Sequence, residues 1–563
     1  MPTENVPQKR FGEIALCLSG GGYRAATFAL GTLDMLDELH LLDDVKLLST
    51  VSGGTFTGLN YALSQVENKT FGEFYDDFGD FLKRTNVIIK ALRDLYNTPS
   101  PSGSTDVSLI RSAAHVYSGR DFLGEKTFGQ LTEIVGKDAR FKELIFNATE
   151  FHTGNGFRFR ASWDDDIFIG NQIFSVPKDV AGEMHLADIA AASSCFPGAF
   201  EPIRFPDDFY WQSPLNAIRG ELIKDVTQPF PPHNVYKNGF NDDGKCIPLP
   251  LMDGGIFDNQ GITSAVLADT HKIFKLFLIS DTSPRENDIL NFPDASPRRG
   301  WFTLETLLWI AVAIFILSLA AIGLIAYSFF VPGAASGFAD WQIIVAYIVS
   351  VLPAFILIGM LIWAYGLFDR AKTIIVSGAK FPLWRFFKHL ALPDAIVMVK
   401  ARINSLVAMT ADVFMKRIRQ LQFNNLMNPE SRKKQVSFNL IYSIAAAPEH
   451  SSLWILDPEL RPTEQMKSIS ECAEGIPTTL WMTDEEFQVL IACGRCTTCF
   501  SLLKFLWRRW QEQQAEAYRQ KTPYEIPKPN DPSSPYYEIY TYLKTKWLEL
   551  KKDPYDGQAR ERV

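Results

Sequence analysis

Ser52 stands where a strand runs into a glycine turn, in Leu48-Ser-Thr-Val-Ser-Gly-Gly-Thr55. Upstream comes Ser19-Gly-Gly-Gly-Tyr-Arg24, and far downstream comes Met252-Asp-Gly-Gly-Ile256. A serine hydroxyl attacks a carbonyl only when a base takes its proton, and the oxyanion then formed needs donors already aimed at it. One serine, one aspartate and two turns rich in backbone N–H groups supply that set. No motif is specific by itself. Alone, Ser52 reads better as a helix N-cap, the glycine triplet equally as a plain tight turn, and Asp253 also as an Asp-Gly turn residue.

The elements that must position these residues are legible nearby. Ile14-Ala-Leu-Cys-Leu18 is a short apolar run that fits a fully buried strand. Beyond Gly22, Ala26, Leu30, Leu33, Leu36 and Leu39 fall at helical spacing. Gly20, Gly21 and Gly22 therefore form a strand-to-helix turn whose N–H groups lack helical partners and whose dipole favours negative charge. It is not a Walker loop, since no Gly-Lys-Ser/Thr follows, and consecutive glycines do not make a Rossmann fingerprint. Val45–Val51 predicts a second strand and Phe56–Leu63 a helix, which places Ser52 on an elbow with the Gly53 N–H beside it. The usual elbow is Gly-x-Ser-x-Gly; here Thr50 replaces the first glycine and adds bulk where strand and helix pack. Asp253 ends a short apolar run. Its ordinary pKa near ~4 is low for a base at neutral pH, and burial would raise it.

As a set, Gly20-Gly-Gly-Tyr-Arg24, Val51-Ser-Gly-Gly54 and Asp253-Gly-Gly255 resemble the patatin-like phospholipases, a family of serine lipid acyl hydrolases. Two further stretches are similar: Asn147-Ala-Thr-Glu150 and Ala190-Ala-Ala-Ser-Ser-Cys-Phe-Pro-Gly198. The resemblance covers residues 12 to about 285 and, more weakly, 395 to 505. It implies an α/β fold with a central, mostly parallel sheet flanked by helices. It further implies a Ser52–Asp253 dyad without histidine and an oxyanion hole from Gly20, Gly21, Gly22 and Gly53. No metal and no cofactor is expected. Arg24 either orients the loop and substrate or is a solvated surface residue. Of the eight histidines, His152 and His185 are the nearest candidates for a third member, and both read better as structural.

The second strong feature is apolar. Thr306–Val331 and Trp341–Phe368 carry no charged residue, and each is long enough to cross a bilayer. The connection 332–340 has no Lys or Arg, whereas Arg298 and Arg299 precede the pair and Arg370, Lys372 and Lys380 follow it. The positive-inside rule predicts a two-pass hairpin with the catalytic domain and both termini cytosolic. The expected organisation is a catalytic domain over 1–285, a linker over 286–300 and the hairpin over 301–372. A completing catalytic part follows over 373–519, then a Pro-rich linker and short helix over 520–563. Met1–Gly12 is polar and does not read as a signal peptide.

The formal net charge is −8 with no basic block, which argues against nucleic acid as a partner. Seven irregularly spaced cysteines suit a reducing compartment. Cys493-Gly-Arg-Cys-Thr-Thr-Cys499 reads as packing residues on one helix over 486–510, since a zinc site wants two ligand pairs. The expected function is a membrane-anchored lipid acyl hydrolase acting on phospholipid or lysophospholipid esters, with the bilayer as partner. A lipid acyltransferase and a non-catalytic membrane scaffold are the alternatives.

Overall fold

The computed structural model describes residues 11–97, 108–164, 169–171, 175–224, 248–285, 303–330, 413–427, 434–520 and 526–555, with isolated residues 341, 344, 345, 359, 401 and 405. Two compact units are present: Met1–Asn287 with Phe414–Val563, and Asp288–Val413.

The first unit is an α/β fold around a ten-stranded sheet. Its strands are β1 (Ile14–Leu18), β2 (Val45–Val51), β3 (Glu143–Glu150), β4 (Asn155–Ser162), β5 (Ile169–Gly170), β6 (Ser175–Val176), β7 (Ile203–Phe205), β8 (Leu249–Asp253), β9 (Leu276–Asp281) and β10 (Val436–Leu440). The order is β10-β9-β1-β2-β3-β4-β5-β6, with β8 joining β3 and β7 to the side. From β10 to β3 all neighbours are parallel. The remaining pairs are antiparallel. Central parallel strands are covered on both faces, which is why β1 has no polar face to show. Its alternate residues divide between two apolar clusters. Ile14, Leu16 and Leu18 enter the larger, and Ala15 and Cys17 the smaller.

Helix α1 (Gly22–Glu38) follows β1 and α2 (Gly53–Val66) follows β2. The larger cluster also takes one long helix, Asp484–Arg519, which lies along α1. Close approach is set by paired glycines. A Cβ on Gly31 would lie 2.5 Å from the Ile491 carbonyl oxygen, and one on Gly494 would lie 2.5 Å from that of Phe28. Arg495, 3% exposed, crosses the same contact to Asp34 and Glu38. The cysteines of this helix are packing groups: the Cys493 thiol donates to the Ile441 carbonyl (3.3 Å) and Cys499 to that of Leu543 (3.4 Å). Its length and hydropathy are those of a membrane span, but 89% of its apolar window is buried. It is a core helix.

The sequence alternates as a strand over Gln435–Ile444, and Val436–Leu440 within it takes the sheet edge as β10, parallel to β9. Asn439 fixes it from inside, donating to Thr32 Oγ1 (3.0 Å) and Thr498 Oγ1 (2.9 Å). The helix Tyr537–Lys552 belongs to this core as well, with Trp547 fully buried and stacked 5.4 Å from Phe500.

In the second unit, an unbroken helix spans Leu304–Phe330, 27 residues. Trp309, Ile316, Leu319 and Phe330 on it are all more than half exposed. The expected second span (341–368), apart from isolated helical residues, and the start of the expected completing part (373–400) lie outside the described residues.

Candidate active site

Ser52 sits between β2 and α2 with φ 50° and ψ −117°, a conformation that L-residues rarely hold without compensation. The compensation is a polar network reaching the elbow from β3 and from the helix Leu186–Ser194. The Ser52 N–H donates to Ser193 Oγ (3.0 Å), and Ser193 Oγ–H donates to the Asn147 carbonyl (2.6 Å). Ser193 has no second proton, so its 2.8 Å contact with Thr55 is a Thr55 donation, and the 3.0 Å contact between Thr50 and Thr55 is a Thr50 donation. Asn147 Nδ2 donates to the Thr50 carbonyl (2.9 Å) and to Ser49 Oγ (3.1 Å), and its Oδ1 accepts from Ser264 (2.6 Å). The side chains of Ser193, Thr55, Thr50 and Asn147 are thereby committed to holding the turn.

Thr50, the departure from the usual elbow, is absorbed by a second departure one turn into α2. A Cβ on Gly58 would lie 2.5 Å from Thr50 Cγ2. The bulk gained on the strand is given up on the helix.

Strand β3 sets the spacing of the two reactive groups. Val51 of β2 pairs with Asn147, and Asp253 of β8 pairs with the next residue, Ala148. β4 pairs along the whole of β3 on one edge, so β2 and β8 meet end to end on the other, and Ser52 faces Asp253 across that step. The Ser52 hydroxyl donates to the Asp253 carboxylate, which also accepts from the Gly255 N–H (2.7 Å). Burial pushes the Asp253 pKa up to about 6, and the two hydrogen bonds restrain the rise. Its backbone is pinned by the Cys195 carbonyl (3.0 Å) and by Thr149 Oγ1 (2.9 Å).

The glycine turn lies against this pair. A Cβ on Gly20 would fall 3.2 Å from Ser52 Cβ, and one on Gly53 would fall 2.0 Å from the Gly22 carbonyl oxygen, so only glycine permits the contact. Gly21 and Gly22 hold φ of 138° and 57°. The turn does not treat its three N–H groups alike. The Gly20 N–H is spent on the Asn259 carbonyl (2.9 Å), so Gly20 is removed from the expected donors. The N–H groups of Gly21, Gly22 and Gly53 have no partner among the described residues.

Arg24 is buried, which excludes the solvated reading. Its Nη1 donates to the Ile476 carbonyl (2.8 Å), and burial lowers its pKa against the pull of Asp281 and Glu474. Together with the Tyr23 N–H bond to the Thr479 carbonyl (2.8 Å), it holds segment 476–480 over the glycine turn. The described histidines stand elsewhere. His152 is exposed, and His185 precedes the helix Leu186–Ser194 against Tyr210. Ser193, Asn259 and Thr479 carry site geometry that no motif announces individually. The signal for Ser193 and Asn147 lay in the two flanking segments already singled out.

A sequence profile of patatin-like phospholipases matches residues 16–266. No curated protein sequence matches the chain. Among solved structures, human GIVD cytosolic phospholipase A2 aligns at TM-score 0.30 and 15% identity over 49% of this chain and 44% of that one. The same enzyme with methyl gamma-linolenyl fluorophosphonate and terbium chloride gives 0.29, 14%, 49% and 41%. With the fluorophosphonate alone it gives 0.29, 16%, 49% and 40%. The chain thus spans less than half the length of each of these structures, and likeness this distant bears on neither substrate nor mechanism. The match to a patatin-like phospholipase domain over residues 16–266 supports an enzyme of the phospholipase/esterase kind.

Proposed function

We propose that the chain is a membrane-anchored serine lipid acyl hydrolase that cleaves fatty acyl esters of phospholipids or lysophospholipids. The observation that carries this reading is the buried Asp253 carboxylate hydrogen-bonded to Ser52, beside glycine N–H groups that have no partner among the described residues. Asp253 takes the hydroxyl proton as Ser52 Oγ bonds to the ester carbonyl carbon. The Gly21, Gly22 and Gly53 N–H groups receive the oxyanion. The carbonyl carbon then releases the alcohol, which takes the proton from Asp253. Water repeats the sequence: it gives a proton to Asp253, bonds to the acyl carbon and frees Ser52, whose oxygen recovers the proton. Ester and water become fatty acid and alcohol.

Anchoring rests on the helix Leu304–Phe330, about 40 Å long at ~1.5 Å per residue, against a bilayer core of ~30 Å. The basic flanks Arg298, Arg299, Arg370 and Lys372 favour a cytosolic catalytic unit. A tether of this kind raises the local concentration of lipid substrate.

The test is active-site labelling of the full chain in lipid nanodiscs with a fluorophosphonate, alongside release of fatty acid from phospholipid. Wild type is expected to label and to hydrolyse, and Ser52→Ala to do neither. A Ser52→Ala protein that still hydrolyses overturns the assigned nucleophile. A wild type that neither labels nor hydrolyses favours the scaffold.

A further inference from the structure

At the free edge of the sheet, away from Ser52, lies a cavity of about 480 Å³ between β10, the segment 442–454 and the long helix Asp484–Arg519. In the strand order β10-β9-β1-β2, it lies roughly 14 Å from β2 at ~4.8 Å per strand. Its walls are aromatic and aliphatic: Phe438, Leu453, Trp454, Phe500 and Phe505. Its charged lining is of one sign. Lys504 and Arg508 are present and no Asp or Glu is among the lining residues.

Two cations four residues apart on one helix repel each other unless an anion joins them. Lys504 keeps solvent contact at the mouth, yet the surrounding protein desolvates its ammonium and Arg508 adds repulsion, so its pKa falls below the usual lysine value. No carboxylate offsets this, and Lys504 makes no hydrogen bond or ion pair among the described residues. Arg508 is partly committed: one Nη donates to the Val436 carbonyl, and its Nε is buried without a hydrogen bond, 3.9 Å from Glu512. A third polar group, the Ser443 hydroxyl, is buried in the same lining and also lacks a hydrogen bond. Unspent donors beside an apolar wall are the lining expected of a pocket that orients an amphiphile by its head.

We propose that this cavity binds a single-chain anionic amphiphile. The anionic head lies between Lys504, Arg508 and Ser443, and the alkyl chain lies along Phe438, Trp454 and Phe500. A fatty-acid carboxylate and a lysophospholipid phosphate share this chemistry. The volume is that of a small-molecule pocket, and a diacyl lipid would have to leave one chain outside. If the Ser52 reaction is as proposed, its own products belong to this class; the binding claim does not depend on it.

The experiment uses the full chain carrying Ser52→Ala, in nanodiscs, so that turnover cannot change the probe. A photoreactive diazirine fatty acid is cross-linked and the labelled peptides are mapped. Label is expected on 441–456 or 500–511, with at least a fivefold loss in Lys504→Glu and in Ala446→Trp. Ala446 is exposed in the lining, so tryptophan there obstructs the cavity without entering the core. Excess oleate or oleoyl lysophosphatidate should compete, and whichever competes at lower concentration identifies the head. Competition by oleyl alcohol equal to oleate would remove the anion from the claim. Competition by inorganic phosphate alone would remove the chain. Absence of label at these peptides, or label that both variants leave unchanged, overturns the proposal. Because the readout is binding, failure here is separable from failure of the Ser52 assignment.

Discussion

At Ser52 the backbone is strained, and the side chains around it are hydrogen-bonded to one another. A φ of 50° at a non-glycine residue costs on the order of 1–3 kcal/mol, and the Ser193–Thr55–Thr50 relay and Asn147 hold it in place. The Thr50–Gly58 contact yields a direct test. Gly58→Ala would ordinarily stabilise a helix, by about 1 kcal/mol. Here the new methyl meets Thr50 Cγ2, and a loss of about 1–3 kcal/mol is expected in urea unfolding. Thr50→Ser removes that methyl and keeps the hydroxyl, so the double variant should recover most of the loss; additive losses would contradict the contact. Asp253 gives a second test. Its folded pKa, about 6, lies above its ordinary value of 3.8, so the folded state holds the proton more tightly. Stability from this group is greatest below pH ~4, declines as pH rises to ~6 and is flat above, with an upper bound of about 3 kcal/mol. Asp253→Asn should therefore be the more stable protein at pH 8, with the gap closing toward pH 4, while losing hydrolysis. In wild type, kcat/KM should fall about tenfold per pH unit below pH 6 as the base is protonated. A profile flat to pH 5 would remove Asp253 as the base.

Between elements, the decisive contact is α1 against the helix Asp484–Arg519. Gly31 and Gly494 let the backbones meet, and Arg495 fills the same crossing with charge. Burying an arginine is tolerable only because two carboxylates face it, and removing it strands them. Arg495→Met is expected to cost about 3–5 kcal/mol, read as a lower thermal midpoint, whereas Lys467→Met in the exposed Lys467–Glu464 pair should change little. Equal effects would mean that the buried cluster is not what holds the helices together. The cysteines on this helix have pKa values pushed up by burial, which suits thiols that pack and do not ligate.

For the whole molecule, the second unit interrupts the chain between two neighbouring strands, β9 and β10. The helix Met415–Met427 already lies between the second unit and β10, so the crossover that parallel pairing needs does not require residues 288–413. Replacing 288–413 with a flexible linker should leave hydrolysis of a soluble ester within a few-fold and abolish carbonate-resistant membrane pelleting. A variant that still pellets would relocate the anchor to the first unit. The sequence by itself determined the elbow, the glycine turn, the downstream aspartate and the apolar runs, because each is local: turns demand glycine, buried strands demand apolar residues, and long spans demand the absence of charge. It also pointed to a strand within Gln435–Ile444, though not to its place at the sheet edge. Only the tertiary structure decided that β3 brings Ser52 and Asp253 to adjacent steps, that Gly20 spends its N–H on Asn259, and that Arg24 is a buried strut. Those outcomes are settled by partners from distant parts of the chain, and a hydrogen bond across such separations leaves no periodicity to read.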